Sequence, residues 1–164
     1  MVEKIKEIKP PRGLARLAFR LPIWFYRLGL GGLLGTRFLL LTHTGRKSGR
    51  NRHTVLEVVR FDNQGPKFTV AAGFGPGSDW YRNIGANPYV TLQCGHHQWK
   101  MVALFLSPEQ AGEALLDYAK RHPTAMRELA RFMGYRTDGS QEDIRLLGRY
   151  ISMVTFQPEG MKED

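Results

Sequence analysis

The sequence of 164 residues holds a single cysteine, Cys94, and therefore no intramolecular disulfide. That excludes a bridge-stapled secreted scaffold and makes the reducing cytoplasm the expected compartment. No basic, then apolar, then small-residue leader opens the chain, which agrees with that expectation. A long clean apolar run is also missing. The stretch from Leu21 to Leu41 has the length to span a bilayer, but Pro22, Arg27, Arg37 and four glycines interrupt it. A mid-bilayer arginine costs about 2.5–3.5 kcal/mol, so a transmembrane helix is not expected. Internal repeats and low-complexity tracts are absent. The five histidines lack metal-ligand spacing, and the adjacent pair His96-His97 would point to opposite faces of a strand, so no metal site is expected. No Ser-His-Asp or Cys-His set converges either.

Acidic residues are scarce only in part of the chain. Of the net +9, residues 1–60 carry 13 Lys and Arg against 3 Asp and Glu, whereas residues 61–164 carry 11 against 12. The excess is local, which points to one anion site or one basic face rather than to a generally basic protein.

With 42% apolar residues the chain can bury a core unaided, and its length fits one domain. Within residues 1–164 the pattern divides into an N-terminal amphipathic helical segment (1–36), a strand-rich part (37–106), helices (107–149) and a closing strand (150–157). Arg12, Arg16 and Arg20 line one face of an expected helix, with Leu14, Leu17, Ala18 and Leu21 opposite. This stripe reads as a solvated surface. The alternative is peripheral contact with an anionic membrane, on the inner face of the cell membrane, aided by Trp24, Phe25 and Tyr26. Flexible ends are expected in the first dozen residues and after Pro158.

Short runs rich in Val, Leu, Thr and aromatics predict strands near 37–43, 52–61, 66–72, 88–94, 97–105 and 150–156. Asp62-Asn63-Gln64-Gly65 and Gly95-His96 read as hairpin turns, so neighbouring strands should be antiparallel. Cys94 shares a face with Val90 and Leu92 and reads as a packed thiol. Ser107, Pro108 and Gln110 form a helix start with a capping box, Thr124 is the expected cap of a second helix, and Ser140 that of a third. The fold class is α+β, a small antiparallel barrel with peripheral helices.

The charge concentrates between two strands, in Thr42-His43-Thr44-Gly45-Arg46-Lys47-Ser48-Gly49-Arg50-Asn51-Arg52. Glycines let backbone amides join the cations around phosphate or carboxylate oxygens, so the segment outlines an anion cradle. It is not a Walker A loop, because the residue order is wrong and a strand follows. A second segment, Ala71-Ala72-Gly73-Phe74-Gly75-Pro76-Gly77-Ser78-Asp79-Trp80-Tyr81-Arg82-Asn83, leaves a strand through small residues and enters an aromatic-rich helix. Small residues there admit a flat ring against backbone, with Trp80 as a wall. Cradle and wall together suit the two ends of a phosphorylated ring cofactor.

The string Leu-Thr-His-Thr-Gly-Arg-Lys-Ser-Gly-Arg-Asn-Arg (41–52), with Trp80-Tyr81-Arg82-Asn83 and Ala86-Asn87-Pro88 downstream, resembles the deazaflavin-dependent nitroreductase and quinone reductase family over about residues 37–106. The resemblance implies a split β-barrel like that of flavin-mononucleotide-binding proteins. It also implies the reduced 5-deazaflavin coenzyme F420 as hydride donor, and a small-molecule electron acceptor such as a quinone or nitro compound. By the same resemblance Thr44, Arg46, Lys47, Ser48 and Arg52 would hold the coenzyme's phosphate and acidic tail. His53, Thr54, Val55 and Leu56 would lie beside the ring, Ala71, Ala72 and Gly73 would contact it through backbone, and Asp79, Trp80, Tyr81 and Asn83 would close the pocket. Family members carry a cluster of C-terminal tyrosines at the substrate pocket. Here only Tyr135 stands in a comparable place, after Phe132 and Met133, as the candidate proton donor or substrate contact.

Three other readings compete. The same barrel could use flavin mononucleotide, although the run of cations favours a longer acidic tail. A nucleic-acid-binding module draws on the basic N-terminal third, but the strands carry no alternating aromatics and cations and no helix-turn-helix or zinc pattern is visible, so no nucleic-acid partner is expected. A membrane-surface protein without catalysis is the third reading.

Overall fold

Period-two alternation of buried and exposed residues builds a closed barrel of six antiparallel strands in this computed structural model, which describes residues 1–9, 11–15 and 21–161. The barrel strands are β2 (Phe38–Thr44), β3 (Asn51–Asp62), β4 (Lys67–Ala71), β5 (Tyr89–Cys94), β6 (His97–Phe105) and β8 (Met153–Pro158). They run in the order β2-β3-β4-β8-β6-β5, with β5 returning to β2. Every neighbouring pair is antiparallel. Leu39 and Leu41 of β2, Phe68 and Val70 of β4, Leu92 of β5, Met101 of β6 and Phe156 of β8 fill the interior. Cys94 is buried with them, its thiol donating to the Phe38 carbonyl at 3.4 Å, as a packed residue should.

The outer wall carries the helices. The register of β3 on β4 shifts between Val58 and Arg60, and this bulge leaves Val59 buried in a second apolar cluster, outside the barrel core. There it meets α3 (Pro108–Arg121), α4 (Pro123–Phe132) and α5 (Gln141–Leu147). The first starts as expected: Ser107 Oγ accepts the Gln110 N–H, and Gln110 reaches back to the Ser107 N–H. The short fifth helix is capped by Ser140. Helices α3 and α5 meet backbone to backbone at Gly112 and Gly148, where any Cβ on Gly148 would run into Pro108 O and Gly112 N.

Four expectations need correction. The cap of α4 is His122, not Thr124, because Pro123 already occupies the first helical position, where its missing N–H costs nothing. The closing strand begins at Met153 rather than 150, since Tyr150 and Ile151 both donate their N–H to the Leu147 carbonyl and so prolong the end of α5. Residues 107–149 are not all helical: Tyr135–Arg136 (β7) pair with Glu3–Lys4 (β1). That pairing, with Ile5 N–H on Gly134 O at 2.7 Å, also ties down part of the N-terminus expected to be flexible. Within 1–36, helix α1 (Leu21–Arg27) and a 3-10 turn at Gly31–Leu34 are present. The expected arginine-striped helix over 12–20 lies largely outside the described residues, and no helix among them is long and apolar enough to cross a membrane.

Candidate functional site

Alternation along β2 places Leu39, Leu41 and then His43 on the inner face, so the strand delivers a histidine to the rim of the barrel, 4% exposed. The chain then turns back through the basic loop. Gly45 N–H donates to Arg50 O and Gly49 N–H to Gly45 O, both at 2.8 Å, and Gly49 takes φ +64°, a conformation that glycine adopts without strain. Helix α2 (Asp79–Ala86) packs against this turn.

Arg46 makes the join. Its Nη1 donates to Asn83 Oδ1 at 2.8 Å, and Nη1 and Nη2 both donate to Asp79 Oδ1 at 3.1 Å, while its backbone N–H also reaches Asn83 Oδ1 at 3.1 Å. Arginine has only donors, so the amide oxygen of Asn83 must face it. The Asn83 Nδ2 is thereby turned to His43 Nδ1, 3.1 Å away, and that nitrogen must accept. His43 therefore carries its proton on Nε2 and is neutral. Burial lowers its pKa to about 4, with His53 and the Arg52 guanidinium acting electrostatically in the same direction and Asp79 opposing.

Across the ladder, Arg52 sits opposite His43, Thr54 opposite Leu41 and Leu56 opposite Leu39, so these three share the inner side of β3. His53 and Val55 face the other way. His53 Nδ1 lies 3.0 Å from the Thr42 hydroxyl, and burial lowers its pKa. The four residues expected beside one ring thus divide between two faces, as neighbours on a strand must. Thr44 stands at the barrel rim, its hydroxyl 3.5 Å from Asn87 Nδ2. Ser48 Oγ accepts the Arg50 N–H within the loop. Lys47, Arg50 and Arg52 are exposed and, among the described residues, have no ion-pair partner.

The small-residue segment lies next to β3, because Val58 pairs with Val70 and the chain runs on through Ala71, Ala72 and Gly73. Ala72 N–H donates to Ser152 O at 2.8 Å. A Cβ on Gly73 would stand 3.2 Å from the ring of Phe132, which meets Phe74 edge-on at 5.6 Å. Trp80, 8% exposed, packs into the barrel core, so little of its indole is left for a ligand, and Tyr81 meets it edge-on at 5.7 Å. Tyr135 is half-buried against the helical cluster and stacks on Tyr150 at 5.6 Å.

The structure therefore joins Arg46, Asp79 and Asn83, adds His43 to them, and sets Tyr135 on the helical side with Tyr150. His43 and Tyr150 were missed from the sequence. The alternation Leu39, Leu41, His43 was a usable signal for the first, whereas nothing local marks the second. The donor set fits an anionic group with a flat body: three free cations on a glycine-turned loop, beside backbone stripped of bulky side chains at Ala71 to Gly73. Among the described residues no cluster suited to a metal ion occurs.

A family model described as F420H(2)-dependent quinone reductase matches residues 19–130. Among solved structures, one of an F420-H2 dependent reductase (FDR-A) is 26% identical, covering 74% of this chain and 94% of that one, with a TM-score of 0.52. The Agrobacterium tumefaciens protein Atu2129, described as of unknown function, is 16% identical over 94% of this chain and 59% of its own, at a TM-score of 0.53. The haem storage protein HutZ of Vibrio cholerae is 12% identical over 83% and 90%, at 0.50. These last two are likenesses of fold.

Proposed function

The chain belongs to the F420H2-dependent quinone reductase family and is an oxidoreductase using reduced coenzyme F420; from that premise we propose that it passes hydride to a small quinone-type or nitro-type acceptor at the barrel rim. The observation that carries this reading is the exposed trio Lys47, Arg50 and Arg52 on a loop whose base is fixed to α2 by Arg46. When bound, the reduced deazaflavin supplies the hydride.

The protein's own part is to bind, orient and shield. Lys47 and Arg52, with the amides of the Gly45–Arg50 turn and Ser48, hold phosphate and carboxylate oxygens. The start of β3 at His53 to Leu56 and the backbone of Ala71 to Gly73 border the flat ring, while Tyr81 and the α2 terminus at Asp79 close it off. Phe74 and Phe132 exclude water on the acceptor side, and Tyr135, stacked on Tyr150, is the proton donor or acceptor contact.

Replacing Lys47 and Arg52 together with Ala should weaken coenzyme binding by on the order of 100-fold or more, given about 1.5–3 kcal/mol for a hydrogen bond to a charged group. Fluorescence titration with coenzyme F420 reads this, beside a parallel titration with flavin mononucleotide. Unchanged affinity of the double variant, or tighter binding of the flavin by the unsubstituted protein, refutes the reading.

A further inference from the structure

The binding loop rests on a group that no step above uses. His43 is a buried, neutral imidazole at the end of β2, and among the described residues its one side-chain hydrogen-bond partner is Asn83. Asn83, also 4% exposed, spends both faces of its amide on the relay from His43 to Arg46. Arg46 in turn is only 19% exposed at its side chain and directs its guanidinium at Asp79 and Asn83, not outward with Lys47.

We infer that His43 and Asn83 are positioning residues for coenzyme binding, acting through Arg46, which serves as a strut between the basic loop and α2 rather than as a direct anion ligand. The inference rests on the proposed binding of the coenzyme at this loop. Three features carry it. The chain of donors admits one arrangement only: Arg46 can only donate, so Asn83 Oδ1 must accept and His43 Nδ1 must accept in turn. The links span 37 and 40 residues of sequence, joining β2, the loop and α2, so they fix elements relative to one another rather than capping a local turn. The guanidinium is forked onto Asp79 and Asn83, a geometry that a point charge cannot reproduce. With the loop's base held, Lys47 and Arg52 project from a fixed platform and lose less freedom when an anion binds.

Strut and ligand differ in their salt dependence. Removing a direct charge contact flattens the dependence of affinity on ionic strength, because one screened attraction is gone. Disturbing a strut lowers affinity but leaves that slope intact. The experiment is a fluorescence titration of coenzyme F420 at several salt concentrations, with thermal melting as a check on folding. It compares the unsubstituted protein with His43→Leu, His43→Gln, Arg46→Gln and Lys47→Ala.

His43→Leu and Arg46→Gln should each weaken binding about ten-fold, the equivalent of one net hydrogen bond, with a salt slope parallel to that of the unsubstituted protein. His43→Gln, whose amide oxygen can accept from Asn83, should restore most of the affinity. Lys47→Ala should weaken binding and flatten the slope. Arg46 is partly exposed, so Arg46→Gln tests the strut even where His43→Leu melts early. Full affinity in Arg46→Gln, or a flattened slope in it, overturns the inference while leaving coenzyme binding itself standing. Failure of the unsubstituted protein to bind the coenzyme overturns the proposed function and the inference with it.

Discussion

Two of the buried polar nodes among the described residues, one at Asp143 and one at His43, are built differently. Asp143, in the helical layer, takes the hydroxyl of Thr137 at 3.3 Å and the N–H of Asp138 at 3.2 Å, donates its own N–H to Ser140, and meets the amine of Met1 at 2.8 Å. Apart from that amine, its partners lie within six residues, so it closes one turn. The His43-Asn83-Arg46 node at the barrel rim draws on partners far apart in sequence and ends beside three exposed cations. A local node shapes its own loop, whereas a long-range node sets the relative position of elements that a ligand can read. Substitutions at Asp143 and at the contact of α3 with α5 should therefore alter stability and leave coenzyme binding unchanged, and those at the rim should alter binding first.

The largest effect is expected where backbones touch. Gly148→Ala puts a Cβ against Pro108 O and Gly112 N, atoms that cannot rotate away, so α3 and α5 must part. The expected loss is about 3 kcal/mol, the upper part of the usual range for overpacking, read by denaturant unfolding. Coenzyme affinity, measured below the unfolding transition, should stay within about two-fold, a change worth less than one ordinary hydrogen bond. A marked loss of affinity there would break the division between layers.

Asp143→Ala sharpens the same contrast. It removes the acceptor of the Thr137 hydroxyl and the Asp138 N–H, both within reach of solvent, at a cost of about 1 kcal/mol, that of an ordinary net hydrogen bond. Melting should shift while the coenzyme titration does not. Were the affinity to fall in step with stability, the two nodes would not be separate units.

How far the sequence foretells this molecule follows from the same distinction between local and distant partners. The strands were legible because alternation is local, and the capping box at Ser107 was legible because its two bonds span three residues. The bulge that leaves Val59 outside the barrel core was not, since it depends on the register of a neighbouring strand. The Gly112 and Gly148 contact brings together two helices 36 residues apart, which no period reveals. At the site, the basic loop and its glycines stood out in composition. The role of Arg46 did not, because Asp79 and Asn83, its partners, reach it only through the fold. Trp80 looked like an exposed wall for the converse reason: an aromatic beside glycines gives no hint that the barrel has room for it.

The smallest expected effect concerns protons. An ordinary histidine in the unfolded chain titrates near 6.5, whereas burial holds His43 down at about 4 in the folded protein. Between those values the unfolded chain binds a proton that the native state refuses, so stability rises with pH through that window and is fully present above 6.5. Lowering the pH from 6.5 toward 4 should thus weaken the fold, because a proton on Nδ1 would face the Asn83 Nδ2 donor. Carboxylates titrate in the same range, so the informative quantity is the difference between the unsubstituted protein and His43→Gln, which cannot take up the proton. Stability of the two should run parallel above pH 6.5 and diverge below it, with the unsubstituted protein losing more. Chemical unfolding at a series of pH values measures this, and parallel curves down to pH 4 would show that the rim node does not depend on a neutral imidazole.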